Sequence, residues 1–375
     1  MEMKKRHALV SVTNDLLTDN RVNKVCMFLH DKGFKVTLVG RKRKDSLELN
    51  ERPYRMVRFK LPFEKGALFY VSYNIRLFFF LVTRRCDLLV ANDLDTLLAN
   101  YAAHRFKFGA RLVYDSHEYF TEVPELIHRK RIQHFWETLE AWIFPKVKTI
   151  YTVNHSIAQL YAEKYRKKIQ VVRNVPPLWK PINIPSKEAL GIPENHFIVV
   201  LQGAGINIDR GAEEAMEAVA QIEGCCLIFV GDGDVVPKLR KEVQERDLGE
   251  KILFFGKRPY EEMMHYTHHA DVGLSLDKSN NINYRFSLPN KIFDYMHAGT
   301  AVVCTDLPEV SAVVQKHEAG IVLPELTVES LKSALISLMN DPQRLNELKA
   351  NCLNAASVEN WEHECSVLEE LYGES

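Results

Sequence analysis

The chain has 375 residues, more than one ordinary hydrophobic core accommodates, so two domains are expected. Its composition of 46% hydrophobic and 26% charged residues is that of a globular protein and excludes a disordered or fibrous one. Seven cysteines, an odd number without a CxxC pair, favour free thiols in a reducing compartment over a disulfide framework or a zinc module. The apolar run near the N-terminus is only as long as a strand, so we expect no signal peptide.

The charges cancel over the whole chain but are unevenly distributed. Residues 1–180 hold 33 Lys and Arg against 18 Asp and Glu, and the remaining residues hold 16 against 31. A basic N-terminal half suits an anionic partner, such as a phosphorylated acceptor or an acidic membrane surface; a merely solvated surface is the alternative. No nucleic-acid-binding motif accompanies the charge, so a nucleic acid is not expected as the partner.

In the first half, short runs rich in β-branched residues alternate with segments of helical periodicity. Strands that alternate with helices predict right-handed crossovers and a mostly parallel sheet covered on both faces. The predicted strands are 7–12, 35–40, 54–59, 87–92, 110–115, 148–153 and 169–174. The predicted helices are 21–32, 67–83, 94–106 and 125–144.

The most apolar of these helices contains residues 69–82, FYVSYNIRLFFFLV. This stretch is shorter than the roughly 20 residues that span a bilayer, and Arg76 lies near its middle. A buried core helix is therefore the primary interpretation, and contact with a membrane surface is the alternative.

A Pro-rich segment, residues 175–187, is the predicted linker. The alternation then restarts, and the residues beyond about 327 are helical in pattern throughout. We predict an α/β protein of two doubly wound domains with a helical C-terminal tail, in which ligands bind beyond the carboxyl ends of the strands, in a cleft between the sheets. The predicted strands of this half are 196–203, 225–234, 251–256, 270–276, 301–305 and 320–323.

Residues 285–303, RFSLPNKIFDYMHAGTAVV, predict a helix that runs directly into a buried strand. Ser287 is expected to cap the helix, Pro289 lies in its first turn, and Gly299 is placed to end it.

Packing does not explain the polar residues of this helix. Asn290 and Lys291 lie in the first turn, where free N–H groups and the helix dipole favour an anion, so Lys291 is better explained if it meets a phosphate. Asp294 follows one turn later and could accept hydrogen bonds from a ribose diol. An exposed Lys–Asp pair is the alternative.

A second strand–loop–helix segment contains LQGAGINIDRGAEEAMEAV, residues 201–219. Arg210 stands at the predicted helix entrance, where a guanidinium can grip a diphosphate with two hydrogen bonds. The GDGD sequence at 231–234 lacks the third glycine of a dinucleotide fingerprint, so a plain strand-to-helix turn is favoured there.

A third segment, YDSHEYFTE at 114–122, follows a first-half strand and brings Asp115, His117 and Glu118 together. His117 could donate to or polarise a substrate hydroxyl, and a structural histidine is the alternative. The three histidines of 265–271 lack accompanying cysteines or carboxylates, so no metal site is predicted.

Nine segments in chain order carry a further similarity: TNDLLTDNRVNK, ANDLDTLLAN, LVYDSHEYFTE, TVNHSIA, VVRNVP, QGAGINIDRG, FVGDGD, FFGKRP and SLPNKIFDYMHAG. Together they resemble a retaining glycosyltransferase of family 4 with the GT-B fold. The resemblance implies a Rossmann-like acceptor-binding domain over 1–178 and a Rossmann-like sugar-nucleotide-binding domain over 179–350. It also implies a helical tail over 351–375 that packs back toward the first domain.

The resemblance further implies roles for single residues. Those it assigns to catalysis are His117 near the donor sugar and Arg210 at the diphosphate, to which we add Lys291 from its place in the first turn of the helix. The donor-binding residues are Gly203, Arg210, Gly256, Lys257, Arg258, Ser287, Asn290, Lys291 and Asp294, with the 256–259 turn meeting the base. The acceptor-side residues are Asp19, Asn20, Arg21, Asp93, Glu118 and Asn174.

The chain departs from the family pattern at two positions. Phe286 stands where a glutamate eight positions before Asp294 is usual, and Ala204 follows Gly203 where an arginine is usual. We therefore expect Lys291 to supply the second diphosphate cation. The contacts to the sugar hydroxyls stay unassigned, with 277–284 as a candidate.

The resulting functional prediction is the transfer of a sugar from a nucleoside diphosphate, UDP-sugar being favoured, to a glycan or lipid-linked acceptor. The resemblance implies retention of anomeric configuration, no metal and no cofactor. A GT-B epimerase, a phosphorylase and a non-catalytic sugar-binding subunit are the alternatives. The expected location is cytoplasmic, with peripheral contact at the inner face of the membrane through the basic N-terminal domain.

Overall fold

The computed structural model describes residues 5–17 and 19–373. It divides into two compact units: the first comprises the residues up to Arg173 together with those from Val367 onward, and the second comprises Asn174–Ser366. The first unit thus ends a few residues before the expected boundary at 178. The C-terminal stretch that packs within it begins at Val367, later than the expected 351.

The first unit alternates strands and helices, as its sequence predicts. Its strands are β1 His7–Ser11, β2 Lys35–Lys42, β3 Arg55–Lys60, β4 Leu88–Asn92, β5 Arg111–Ser116, β6 Thr149–Thr152 and β7 Gln170–Val171. Its helices are α1 Asn20–Asp31, α2 Gly66–Val82, α3 Leu94–Phe106, α4 Pro124–Ile127, α5 Lys130–Ile143 and α6 His155–Tyr165. The single helix predicted over 125–144 is therefore wrong in one respect, because His128 and Arg129 separate α4 from α5.

The second unit repeats the alternation, and the predicted linker 175–187 contains no helix or strand until α7 begins at Lys187. Its strands are β8 Phe197–Gly203, β9 Cys225–Gly231, β10 Ile252–Phe254, β11 Val272–Ser275, β12 Ala301–Thr305 and β13 Gly320–Leu323. Its helices are α7 Lys187–Leu190, α8 Ala212–Ala220, α9 Val236–Glu245, α10 Tyr260–His268, α11 Ile282–Arg285, α12 Lys291–Ala298, α13 Pro308–Lys316, α14 Val328–Met339 and α15 Pro342–Ala356. The last helix, α16 Trp361–Gly373, continues past the end of this unit.

Each unit contains one parallel sheet. The strand order is β3-β2-β1-β4-β5-β6-β7 in the first and β10-β9-β8-β11-β12-β13 in the second. In both sheets the order reverses beside the first strand, between β1 and β4 and between β8 and β11. Rossmann-like sheets bind their ligands at such a reversal, beyond the carboxyl ends of the strands.

The central strands β4, β8, β9 and β12 are mostly apolar and buried, which is typical of a parallel sheet covered by helices on both faces. All seven residues of β9 are buried, including Cys225 and Cys226. All seven cysteines of the chain are free thiols.

Helix α2 differs from the buried core helix that its sequence suggests. Phe69, Tyr73 and Leu77 are buried, but Ile75 and Phe79 on the other side are 55% and 61% exposed. The interpretation was wrong for that side, because an all-apolar sequence does not show which of its faces packs on the sheet. Within the described ranges, no helix combines the length and the apolar content that crossing a bilayer requires.

Candidate active site

In the first unit, polar side chains gather at the carboxyl ends of β4 and β5, and His117 directly follows β5. Its Nδ1 lies 3.3 Å from Oδ2 of Asp93, and its Nε2 lies 3.3 Å from Oδ2 of Asp115. Burial lowers the pKa of His117, but the two carboxylates outweigh burial and raise it to about 9. The ring is therefore a cation at neutral pH that lies between the two carboxylates. Its Nε2 also lies 3.2 Å from Oδ1 of Asn92.

Asp115 is held from its other side by Arg21. The guanidinium Nη2 lies 2.8 Å from Oδ1 of Asp115, and Nη1 donates to the carbonyl of Val172 at 2.8 Å. Burial raises the pKa of Asp115, yet Arg21 and His117 more than offset this and lower it to about 2. The predicted acceptor-side residue Arg21 is thus buried in an ion pair and acts on the site through Asp115.

Asp93 has a strained backbone. Its φ of 59° and ψ of 165° lie in a region that is essentially reserved for glycine and costs roughly 1–3 kcal/mol. Two hydrogen bonds hold this conformation: the Asp93 N–H donates to the Asp115 carbonyl at 2.9 Å, and Oδ1 accepts the N–H of His117 at 2.8 Å. This strained backbone conformation therefore places the Asp93 carboxylate beside His117.

Further carboxyl groups near His117 resist ionisation. Burial raises the pKa of Asp95 to about 7, and its carboxylate accepts the Thr13 hydroxyl at 2.5 Å. Burial and the nearby Asp93 raise the pKa of Glu118. A buried cation surrounded by such acids can hold and exchange protons near neutral pH, which is typical of functional sites.

The remaining acceptor-side residues have other positions. Asp19 caps α1, accepting the N–H of Val22 at 3.0 Å, and Asn20 is the exposed first residue of that helix. Asn174 is the first residue of the second unit, and its buried Oδ1 has no hydrogen-bond partner within the described chain.

In the second unit, a cationic cluster lies beyond the carboxyl ends of β8 and β11. Arg210 Nη1 lies 2.5 Å from Oδ1 of Asp277, and the guanidinium covers the Tyr284 ring at 4.5 Å. The other oxygen of Asp277 and the Nε of Arg210 are buried without a hydrogen-bond partner in the described part of the chain. Buried polar atoms are normally satisfied, so these two indicate a site that a polar ligand completes.

Lys291 belongs to the same cluster. Burial lowers its pKa, Asp277 opposes that shift, and Arg210 adds to it. Lys291 therefore interacts electrostatically with both Asp277 and Arg210, and a diphosphate would relieve the repulsion between the two cations.

The start of α12 differs from the prediction at Ser287. The Ser287 hydroxyl donates to the Tyr284 carbonyl at 2.9 Å, and the N-cap of α12 is Asn290, whose side chain makes no capping bond. The prediction that Ser287 caps the helix was therefore wrong, because the chain completes the short helix α11 before α12 begins. The expected end is confirmed: Gly299 has φ 69°, a left-handed conformation that suits glycine.

Asp294 is buried and already hydrogen-bonded. Its Oδ1 accepts the Tyr260 hydroxyl at 2.9 Å, and its Oδ2 accepts Gln202 Nε2 at 3.1 Å. Tyr260 directly follows the 256–259 turn and is 41% exposed. Its hydroxyl therefore links Asp294 to the turn that the family resemblance assigns to binding the nucleotide base.

The glycine loops pack backbone against backbone. A Cβ at Gly231 would lie 1.9 Å from the carbonyl oxygen of Gly203, and one at Gly233 would lie 2.0 Å from that of Ile206. The two glycines of GDGD are thus explained by loop packing, as the plain-turn interpretation expects.

The 256–259 turn is exposed and charged. Gly256 has φ 68°, Lys257 lies 3.8 Å from Asp232, and Arg258 lies 3.9 Å from Glu262. These ion pairs are long and exposed to solvent, so each contributes little to stability. A ligand that replaces them would therefore lose little free energy.

Histidines 268 and 269 bond to main-chain carbonyls of Ala298 and Pro185. Within residues 5–17 and 19–373, no three His, Cys, Asp or Glu side chains are grouped to hold a metal ion.

The sequence analysis missed Asp95 and Tyr260, and it included Asp277 only as part of the 277–284 candidate for the sugar hydroxyls, not as the partner of Arg210. Asp277 follows the end of strand β11, the same placement that identified Asp115, so that rule could have found it. Tyr260 directly follows a predicted turn, but its bond to Asp294 joins residues far apart in sequence and carries no local signal.

Two family models match this chain. One, described as "Glycosyl transferases group 1", matches residues 185–356, and the other, "Glycosyltransferase Family 4", matches residues 20–175. Between them they cover most of each unit, including His117 and Asp115 in the first and Arg210, Asp277 and Lys291 in the second. The chain belongs to glycosyltransferase family 4.

Individual relatives of this family 4 chain are distant in sequence. The amylovoran biosynthesis glycosyltransferase AmsK of Erwinia amylovora is 24% identical over 160 residues, which is 42% of this chain and 38% of that protein. Sucrose-phosphate synthase from Thermosynechococcus elongatus matches 99% of this chain and 98% of its own at a TM-score of 0.79 and 18% identity. HepE of Anabaena, solved with UDP-glucose, matches 97% and 99% at a TM-score of 0.70 and 15% identity. These structures show that the family 4 chain has the GT-B fold.

Proposed function

We propose that this protein transfers a sugar, of the hexose or N-acetylhexosamine type, from UDP to a glycan or lipid-linked acceptor. The observation that carries the proposal is the ion pair of Arg210 with Asp277, whose second carboxylate oxygen is buried without a hydrogen-bond partner in the described part of the chain, with Lys291 close enough to interact electrostatically with both. Two cations around a half-satisfied carboxylate suit a leaving diphosphate, whose charge grows as the bond to the sugar breaks. HepE was solved in complex with UDP-glucose, which supports UDP as the donor nucleotide.

The proposed reaction retains configuration and uses no metal. The bond between the sugar C1 and the β-phosphate oxygen breaks, the acceptor oxygen forms the new bond on the same face, and the acceptor proton passes to the departing UDP. Arg210 and Lys291 stabilise that leaving group. His117 is proposed as the residue nearest the donor sugar, where its positive charge stabilises the negative charge that develops on the leaving UDP.

The proposed acceptor is a glycan or a lipid-linked glycan. AmsK is a glycosyltransferase of amylovoran biosynthesis, which supports an acceptor in polysaccharide synthesis. The proposed location is the cytoplasm, with peripheral contact at the membrane. Seven free thiols and the basic N-terminal half support that location.

Product analysis tests the proposal. Purified protein with UDP-sugar, an acceptor glycan and EDTA is expected to release UDP only when acceptor is present, and to form a glycoside whose anomeric proton coupling matches that of the donor. An inverted product refutes retention, and activity lost in EDTA but restored by a divalent cation refutes metal independence. Conversion of UDP-sugar without acceptor identifies an epimerase, sugar phosphate formed from free phosphate identifies a phosphorylase, and UDP binding without turnover identifies a non-catalytic subunit.

A further inference from the structure

Three helices of the first unit form a continuous layer on its sheet. Helix α3 packs against both α2 and α5. Helices α2 and α5 also meet directly, through the rings of Tyr70 and Trp136 at 5.2 Å. Each helix buries one side, so the layer has a single outward surface.

That outward surface is strongly apolar. On α2 the exposed residues follow helical spacing, so they lie along one stripe. Ring contacts join the stripe to its neighbours: Phe78 meets Phe106 of α3 at 5.9 Å, and Tyr101 of α3 meets Trp142 of α5 at 5.9 Å. The exposed large side chains, from 43% to 65% accessible and here called the apolar face, are Leu68, Val71, Ile75, Phe79, Phe106, Ile132, Phe135 and Trp142.

An exposed apolar surface of this extent needs an occupant, because contiguous patches of more than a few hundred Å² are rare on monomers and mark interaction sites. None of these side chains contributes to the His117 cluster. Helix α3 begins beside Asp93 and ends at Phe106, so Phe106 lies roughly 20 Å from Asp93 at 1.5 Å per residue.

A basic groove of ≈ 680 Å³ adjoins the apolar face at the C-terminal ends of α3 and α5. It is lined by Tyr101, Trp142 and the cations Arg105, Lys146 and Lys148, and none of its described lining residues is acidic. Lys146 Nζ lies 4.7 Å from the centre of the Trp142 ring.

His104 lines this groove, and the direction of its pKa shift reflects the positive charge around it. Burial lowers the pKa of His104, and Arg105 and Lys148 lower it further. The groove is therefore electropositive, as a site for a phosphate requires.

A second cationic cluster flanks the other end of the apolar face. Arg129, Lys130 and Arg131 are exposed at the start of α5. Cations at a helix N-terminus oppose the helix dipole, so helix stability does not explain them. An apolar face with cations at both ends is complementary to a partner that has an apolar interior and an anionic surface.

We propose that the apolar face docks on an anionic lipid bilayer, with its aromatic side chains in the headgroup region and a lipid phosphate in the basic groove. Aromatic and aliphatic side chains flanked by Lys and Arg are the composition of membrane-surface helices. A second copy of the chain fits less well, because a symmetric dimer through this face would bring like charges together. The inference rests on the proposed function in one respect: it names the surface through which the enzyme reaches a lipid-linked acceptor.

Vesicle flotation of the full chain tests the docking. The protein is expected to float with phosphatidylcholine vesicles that contain 30% phosphatidylglycerol, and not with pure phosphatidylcholine. Phe79→Glu with Trp142→Glu places two charges in the apolar face and is expected to abolish flotation. The matched control is Ile182→Glu in the second unit, where Ile182 is 95% exposed.

The groove is tested with Lys146→Gln and Lys148→Gln together. Each cation near an anionic surface contributes about fivefold, so the double variant is expected to bind the vesicles roughly 25-fold more weakly. Lys44→Gln, at an exposed lysine outside the three helices, is expected to bind like the parent protein. Unchanged unfolding midpoints confirm that the variants fold.

Several results overturn the docking. The docking is refuted if the parent protein does not float with the anionic vesicles, or if Phe79→Glu with Trp142→Glu leaves flotation unchanged. It is also refuted if the parent protein sediments as a dimer that the same double variant dissociates. Release by millimolar inorganic phosphate, with the apolar variants binding normally, shows a phosphate site without a membrane role and also overturns it.

Calorimetric titration of UDP separates this inference from the proposed function. Protein that binds UDP but no vesicles refutes only the docking, and protein that binds vesicles but no UDP refutes the proposed donor site.

Discussion

At the scale of single residues, the second unit keeps two cations close to one carboxylate. Asp277 is 1% exposed and satisfies Arg210 through one oxygen, while Lys291 is held nearby with a lowered pKa. Such a site has an excess of positive charge that an incoming diphosphate can neutralise. The cluster is therefore preorganised to bind an anion.

Lys291→Ala is expected to weaken UDP binding about 10- to 100-fold, since hydrogen bonds to charged groups contribute about 1.5–3 kcal/mol. Isothermal titration calorimetry measures the change. Lys278→Ala is the matched control, because Lys278 already pairs with Glu214 at 2.7 Å. Equal UDP affinity and equal turnover in Lys291→Ala and the parent protein would show that Lys291 is not the second diphosphate cation.

Asp294→Asn tests the proposed ribose contact. The substitution keeps an oxygen for the Tyr260 hydroxyl and removes the negative charge, so the preference for UDP over 2′-deoxy-UDP is expected to fall by roughly tenfold. Calorimetry with both nucleotides gives the ratio. A ratio identical to that of the parent protein would place the ribose elsewhere.

His117 couples the first-unit cluster to pH. Its folded pKa, about 9, exceeds the unfolded value near 6.5, so its contribution to stability is fully present below about pH 6.5 and is lost as the pH rises through 9. The shift corresponds to on the order of 3 kcal/mol. Urea unfolding of the parent protein and His117→Gln at pH 6, 7.5 and 9.5 is expected to show a stability difference that shrinks with rising pH. A difference independent of pH would contradict the ion pairs with Asp93 and Asp115.

At the scale of elements, two loops after neighbouring strands interlock through their backbones. The loop that follows β9 reaches the loop that follows β8 so closely that a Cβ on Gly233 would lie 2.0 Å from the Ile206 oxygen. Backbone atoms cannot move aside as a flexible side chain can. The close approach sets the shape of the loop that carries Arg210.

Gly233→Ala is therefore expected to destabilise the protein by roughly 1–3 kcal/mol, the usual cost of overpacking. Gly249→Ala is the control, since nothing lies within 4 Å of the added Cβ, and a small gain from a stiffer unfolded chain is expected there. Chemical unfolding measures both. Equal stability of the two variants would mean that the loops separate without cost.

At the scale of the whole molecule, the proposed donor contacts come from three separate stretches of the second unit. They are the loop 203–211, the turn 256–260 and the start of α12 from Asn290 to Asp294. Hydrogen–deuterium exchange with saturating UDP is expected to slow exchange in these stretches, because a bound ligand suppresses local opening. Protection confined to residues of the first unit would contradict the assignment of the donor to the second.

Much of this protein follows from its sequence alone. The alternation of apolar strands with helical segments determines two parallel sheets, since period and length are local properties of the chain. Gly299 ends α12 because left-handed backbone suits glycine. Placing Asp115 and His117 at a strand end, and Arg210 in the loop between a strand and a helix, needs only the rule that ligands meet the carboxyl edge of a parallel sheet.

The tertiary structure decided which groups are partners. The contacts of His117 with Asp93, of Arg210 with Asp277 and of Tyr260 with Asp294 join residues that are far apart in sequence. Local pattern cannot rank such contacts, because they depend on burial and on the register of whole elements. The exposed side of α2 has the same cause: an all-apolar helix acquires an outer face only when the sheet and its neighbouring helices cover the other.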